Sequence, residues 1–204
     1  MSNINKHKVF IGYYHRDDQY YKDQILIFNE EADLFDDWSV GDGDIDDEDM
    51  TDEQIRKYIR DKYMREATVL VLLCGVNTKS RKHIDWEIHT AMFDTILNPK
   101  MGILVVNLPN TNNTVRASDA HEKDIVSKNG NWYAVNSRVE FESIYPNMPS
   151  RIIDNFIKGV PISVVSWNTI TNNLEGFKEL IDIAFSRRKT NEYDHSAPLR
   201  KKNS

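Results

Sequence analysis

Residues 67–76 read ATVLVLLCGV, and the run is apolar at odd and even positions alike. A strand with one wet face alternates polar and apolar side chains, whereas a strand covered on both faces reads as a continuous apolar run. The stretch therefore predicts the central strand of a sheet held between two helical layers. Working outward, HIDWEIHTAMFDTI (83–96) follows as an amphipathic helix, and TDEQIRKYIRDKYM (51–64) precedes as another, with Thr51 and Gln54 spaced as a capping box. KMGILVVNL (100–108) supplies a further buried strand. At the N-terminal side, HKVFIGYY (7–14) is a strand, HRDDQYYKDQILIF (15–28) a helix, and ADLFDDWSV (32–40) a brief second strand. VPISVVSW (160–167) reads as a fifth strand between the helices MPSRIIDNFIKGV (148–160) and NNLEGFKELIDIAFSRR (172–188). Repeated strand–helix units imply right-handed crossovers and a parallel sheet with helices on both sides, with ligands gathered at the carboxyl ends of the strands.

A chain of 204 residues suffices for one such α/β domain and is short for two. The expected domain spans 6–188. It includes a polar, Asn-rich excursion at about 109–135, of a length that in compact domains is functional or disordered, with a short helix around Ser118 to Ser127. Residues 189–204 read as a basic, mobile tail. A net charge of −6 argues against nucleic acid as a partner, because phosphate binding needs a clustered basic face. No apolar run approaches the roughly 20 residues that span a bilayer, and the first ten residues lack the apolar stretch of a secretory signal, so the expectation is a soluble cytoplasmic protein without membrane partners. The single cysteine, Cys74, reads as a small buried side chain.

Thirteen acidic residues and no Lys or Arg fall between Glu30 and Glu53, and Asp42, Asp44, Asp46 and Glu53 stand at positions 1, 3, 5 and 12 of a calcium loop. Against that reading, Asp47 occupies the glycine position and Asp49 the apolar one. A solvated acidic loop, or one that borders a ligand site or subunit contact, fits as well.

On the helix after the central strand, a 100° step places Ile84, Ile88, Ala91, Met92 and Thr95 in one stripe facing the sheet. Glu87 lies on its flank. His83 and His89 project apart, so they cannot close on one metal as an i, i+4 pair does, and no metal site is expected. Glu87 is open to two readings at this point: a carboxylate facing a ligand at the carboxyl edge, or an ordinary acid favoured by the helix dipole.

KVFIGYYHRDD (8–18), LFDDWSV (34–40), ATVLVLLCGVNTKSRKHIDWEI (67–88) and MPSRIIDNFIKGVPISVVSWNTITNN (148–173) together resemble the bacterial TIR-like family, related to Toll/interleukin receptor domains, particularly the sensor subunit of the Thoeris anti-phage defence system. The most specific piece is the strand followed by Gly75, Thr78, Arg81 and Trp86-Glu87. Receptor TIR domains carry Trp-Cys-x-x-Glu on this helix; here Trp86 and Glu87 are adjacent and the cysteine is missing, which favours the bacterial branch.

The resemblance implies a flavodoxin-like three-layer fold on a mainly parallel five-stranded sheet, with a glutamate at the position of Glu87 that cleaves the nicotinamide–ribose bond of NAD. NAD is then substrate, with no resident cofactor, and the product is a cyclic ADP-ribose isomer or related nucleotide that activates a partner effector protein. Nicotinamide leaves without a general acid, while the oxocarbenium-like ribose is stabilised by a fixed anion. Glu87 is assigned that role. Tyr14 and His15 are expected to contact the nucleotide, Asp36, Asp37 and Ser39 the ribose or base, Arg81 and Lys82 the pyrophosphate, and Trp86 to stack. Packing or solvation is the competing account of each. The excursion from Pro109 to Val135 is expected to cover the pocket and influence the product. No GxGxxG fingerprint is present, which argues against a dehydrogenase-type site. The alternative is a non-catalytic module that signals by assembly, as a homo-oligomer or with a basic partner on the acidic loop. A phosphotransfer receiver lacks the strand-end aspartate and lysine it would need.

Overall fold

A computed structural model describes residues 6–39, 51–96, 98–127 and 134–203. Its elements in chain order are β1 (Lys8–Gly12), α1 (His15–Ala32), β2 (Asp36–Asp37), α2 (Asp52–Ile59), β3 (Val69–Cys74), α3 (Lys82–Met92), β4 (Gly102–Asn107), α4 (Lys123–Val126), α5 (Arg138–Ile144), α6 (Ser150–Ile157), β5 (Ser163–Ser166), α7 (Trp167–Asn172) and α8 (Leu174–Arg187). The sheet order is β2-β1-β3-β4-β5 and every strand pair is parallel. The apolar run at 67–76 is the central strand it predicts, and the sheet is the doubly wound, flavodoxin-like arrangement that the resemblance implies.

All six residues of β3 are buried. Leu70, Leu72 and Cys74 point into one core with Ile59, Ile84, Ile88 and Ile152, whereas Val69, Val71 and Leu73 point into the other with Ile25, Phe177, Leu180 and Ile181. Helices α2, α3, α5 and α6 therefore cover one face, and α1, α7 and α8 the other. At one point α8 rests directly on the sheet: a Cβ at Gly102 would collide with the backbone of Ala184.

Several boundaries differ from the sequence reading for local reasons. The second strand is only two residues long, and the Asn29 side chain takes up the backbone groups just before it, accepting from the amides of Leu34 and Phe35 and donating to the Phe35 carbonyl. Thr51 and Gln54 do form the capping box, and α2 then passes into a single π-helical turn at Arg60–Met64. Helix α3 stops at Met92, short of Thr95 and Ile96, where Phe93 turns extended and Asn98 Nδ2 caps the Thr90 and Phe93 carbonyls. The excursion after Pro109 is tied down at Arg116, which bridges Val164 of β5, and at Glu122, fully buried and held by Ser118, Ser163 and Arg187. Helices α5 and α7 were absent from the reading, although each starts at a serine cap, Ser137 with Glu140 and Ser166 with Thr169. Asp42, Asp44 and Asp46 of the calcium-loop reading lie outside the described residues.

The expectation of a mobile tail at 189–204 is corrected. Asn191 and Tyr193 are buried, and the Tyr193 hydroxyl donates to the Met101 carbonyl at 2.9 Å. Main-chain groups through Arg200 and the side chain of Asn203 then bond to α3 and α6. Among the described residues, no helix is long and apolar enough to cross a membrane.

The Gly102 contact gives a test of the layer packing. Gly102→Ala is expected to cost on the order of 3 kcal/mol, since neither backbone can yield without shifting α8 from β4; a denaturant melt against wild type measures it.

Candidate functional site

Glu87 sits on the buried side of α3, with a relative exposure of 9%, near the carboxyl end of β1. Its Oε2 lies 2.9 Å from the position a Cβ would occupy on Gly12, the last residue of β1. The missing side chain at Gly12 thus makes the space that the carboxyl group fills. That oxygen has no hydrogen-bond partner among the described residues. Burial alone accounts for the electrostatics: it pushes the carboxyl from its ordinary value near 4.5 up to about 8, because no nearby donor or cation offsets the desolvation of the charged form. A buried, unpaired titratable carboxyl at the ligand-binding edge of an α/β sheet is a functional-site signature.

The two loops that flank this carboxyl are clasped together. Asp18, in the first turn of α1, is buried and accepts from Thr78 Oγ1 at 3.3 Å, while Thr78 Oγ1 accepts from the Gly75 amide at 2.8 Å. Asn77 Nδ2 donates to Asp17 at 2.7 Å. Burial raises the Asp18 carboxyl to about 6 against the opposing hydrogen bond from Thr78. The clasp aligns the residues on either side of it: the Arg81 guanidinium lies 4.0 Å over the Tyr14 ring, and Arg81 Nε is buried without a hydrogen-bond partner among the described residues. Tyr14 and Arg81 are therefore brought together beside the strand ends.

The other expected residues are placed differently. Ser39 reaches the site's rim, its hydroxyl accepting from the Ile11 amide at 3.0 Å. Asp36 and Asp37 pair in register with Lys8 and Val9, short of the carboxyl end of β1, and are exposed; Asp37 is used to accept from the Ser39 amide. His15 stacks on Tyr13, 4.2 Å between centroids, on the side away from α3. Trp86 is buried and donates its indole N–H to the Arg200 carbonyl at 2.9 Å, which turns its N–H edge toward the C-terminal segment. Lys82 lies 5.4 Å over the Trp86 ring. His83 packs against Trp86 and His89 against Phe93, and among the described residues no three His, Cys, Asp or Glu side chains form a metal site. Cys74 is buried, with its thiol pushed up to about 12 by burial, which suits packing and not nucleophilic attack.

Sequence reasoning gives no role to Gly12 or Asp18, and it singles out Thr78 only as part of the family motif. A glycine ending a strand in KVFIG was the available signal, since a strand interior gains nothing from glycine unless something approaches closely. A separate cleft of about 530 Å³, lined by Arg60, Arg65, His89, Phe93 and Asn98 among others, opens at the far end of α3 and does not include Glu87.

Comparison with known proteins bears on the same region. The family model for the Thoeris protein ThsB, TIR-like domain, matches residues 10–113, a span that runs from β1 through α3 and β4 and contains Gly12, Asp18, Thr78 and Glu87. No curated protein matches the sequence. The TIR domains of the activated Roq1 resistosome that directly recognises the pathogen effector XopQ overlay with a TM-score of 0.34 at 10% identity, over 88% of this chain and 84% of that one.

Two outcomes follow from the buried carboxyl. Gly12→Ala is expected to push Glu87 out of its niche and to cost about 1–3 kcal/mol by overpacking, read from a melt. Because the folded state holds the Glu87 proton more tightly than the unfolded chain, its stabilising contribution is full below pH about 4.5 and is lost as pH rises toward about 8. Thermal melts between pH 5 and 8.5 should show wild type losing stability relative to Glu87→Gln as pH rises.

Proposed function

The chain belongs to the Thoeris ThsB TIR-like family, and from that membership we propose that it cleaves the nicotinamide–ribose bond of NAD and releases an ADP-ribose-derived nucleotide that signals to an effector protein in anti-phage defence. The observation that carries the proposal is the Glu87 carboxyl set against Gly12 at the carboxyl edge of the sheet, inside the matched span.

In the proposed reaction the bond from the ribose anomeric carbon to the pyridinium nitrogen breaks. Nicotinamide departs neutral with the electron pair, and the positive charge passes to the ribosyl centre. An ionised Glu87 stabilises that charge in a water-poor setting where a single anion has a large effect. Water captures the cation and gives up a proton to yield ADP-ribose; alternatively, a nucleophile within the same molecule captures it to yield a cyclic isomer. Glu87 is largely protonated at neutral pH in the ligand-free protein, so the approach of the cationic nicotinamide ring also serves to ionise it, an opposite charge favouring the charged form. Tyr14 and Arg81, stacked beside the strand ends, are assigned as contacts for the rest of the dinucleotide. Trp86 and Lys82 act on α3 itself.

The test is liquid chromatography with mass spectrometry on extracts of cells expressing wild type or Glu87→Gln, with and without phage challenge, following NAD, nicotinamide and ADP-ribose-mass species. The expected outcome is a nucleotide product that falls at least 100-fold in the variant, with the purified enzyme's kcat/KM rising with pH up to about 8. Unchanged NAD in challenged wild-type cells, together with defence that survives Glu87→Gln, would replace the enzyme by a module that signals through assembly.

A further inference from the structure

Residues 193–203 run along α3 in the opposite direction, from its C-terminal end to its first turn. His195 packs edge-on against Phe93, 5.4 Å between centroids, and the Asp194 amide donates to Asn155 Oδ1 of α6 at 2.8 Å. Arg151 of α6, with its side chain 2% exposed, forms a two-pronged pair with Asp85 of α3, at 2.9 and 3.1 Å. Its remaining donors go to the carbonyls of Ala197 and Pro198 at 3.1 Å each. The Arg200 amide donates to Asp85 Oδ2 at 2.8 Å and the Arg200 carbonyl accepts from the Trp86 indole. Finally, the Lys82 amide donates to Asn203 Oδ1 at 2.9 Å.

The last contact matters because α3 has no cap of its own. Its N-cap residue is Arg81, which makes no side-chain cap bond, so an orphan amide of the first turn is satisfied from 121 positions downstream. The C-terminal hydrogen bonds described for the first half of α3 fall on Lys82, Asp85 and Trp86, within the five residues before Glu87. If residues 197–203 leave, the buried Arg151–Asp85 pair loses three bonds at once and the first turn loses its cap, so the departure of the segment and the loosening of that turn are one event.

We propose that residues 193–203 are a releasable latch on α3 that fixes the first turns of the helix, and with them the seat of Glu87 against Gly12. The regulatory consequence rests on the NAD-cleaving reading above: with the latch closed the seat of Glu87 is formed, and its release lowers turnover.

The experiment uses the full chain beside a form that stops after Pro198, which keeps the Tyr193 anchor and both Arg151 carbonyls, and a gentler Asn203→Ala variant that removes only the cap. Hydrogen exchange reports the amides of residues 82–88 and the Trp86 indole without reference to activity, and NAD consumption is measured on the same samples. Expected is at least tenfold faster exchange in this region for the shortened form, a smaller rise confined to the first turn for Asn203→Ala, unchanged protection in β3 and β4, and at least tenfold slower NAD cleavage. Unchanged exchange at 82–88 overturns the latch. Faster exchange with NAD cleavage equal to that of an active full-length chain overturns its role as a switch. Faster exchange with neither form cleaving NAD upholds the latch and counts against the NAD reading instead.

Discussion

β3 has no solvent face, so each of its side chains must be met by a helix from one layer or the other. That requirement places α3 against Leu70 and Leu72 on one side and α1 and α8 against Val69, Val71 and Leu73 on the other. Parallel neighbours β1 and β4 follow, since strands covered on both faces are joined by crossover helices. The carboxyl ends of β1 and β3 then lie side by side, and whatever the following loops carry is brought to one edge. Glu87 reaches Gly12 because α3 is pressed onto the sheet by Ile84, Ile88 and Met92. The chemistry at the edge is thus a by-product of covering the middle strand.

Glu87 is held in an unusual state for a carboxyl group. Hydrophobic packing on the rest of α3 compensates for burying it, and no side-chain donor among the described residues meets Oε2. Such an arrangement costs stability that a merely structural residue would not be kept to spend, because a hydrophobic side chain of similar size would pack there at lower cost. Asp18, by contrast, is buried with a hydroxyl donor and joins two loops. The two carboxyls illustrate opposite uses of burial at one edge: one is left ready to change charge, the other is tied to hold geometry.

How much of this was legible in the sequence depends on whether a feature leaves a side-chain pattern. The all-apolar run at 67–76 and the stripe of Ile84, Ile88, Ala91 and Met92 did, since burial on a face dictates composition at a fixed period. The placement of Asp36 and Asp37 did not, because register is set by pairing with Lys8 and Val9 and by the side chain of Asn29, three residues that carry no joint signature. The docked C-terminal segment was invisible for a stronger reason: its bonds are made mostly by main-chain carbonyls and amides, which every sequence possesses, and its charged side chains suggested a solvated end. The Asp85–Arg151 pair joins positions 66 apart and is equally silent in one sequence. Ser137 with Glu140, on the other hand, is a readable capping box at the start of α5 that sits inside an otherwise polar stretch.

The borrowed cap of α3 also bears on the order in which the molecule assembles. The β1, β3 and β4 pairings are driven by apolar burial that is present as soon as those segments meet, and they are expected to form before the C-terminal contacts. The Lys82–Asn203 bond spans 121 positions and gains little until the sheet, α6 and the buried Arg151–Asp85 pair already stand. The first turn of the helix that carries Glu87 is therefore a late arrival on the folding path and an early departure on the way out, so substitutions along 197–203 change the rate of unfolding and leave the rate of folding nearly untouched.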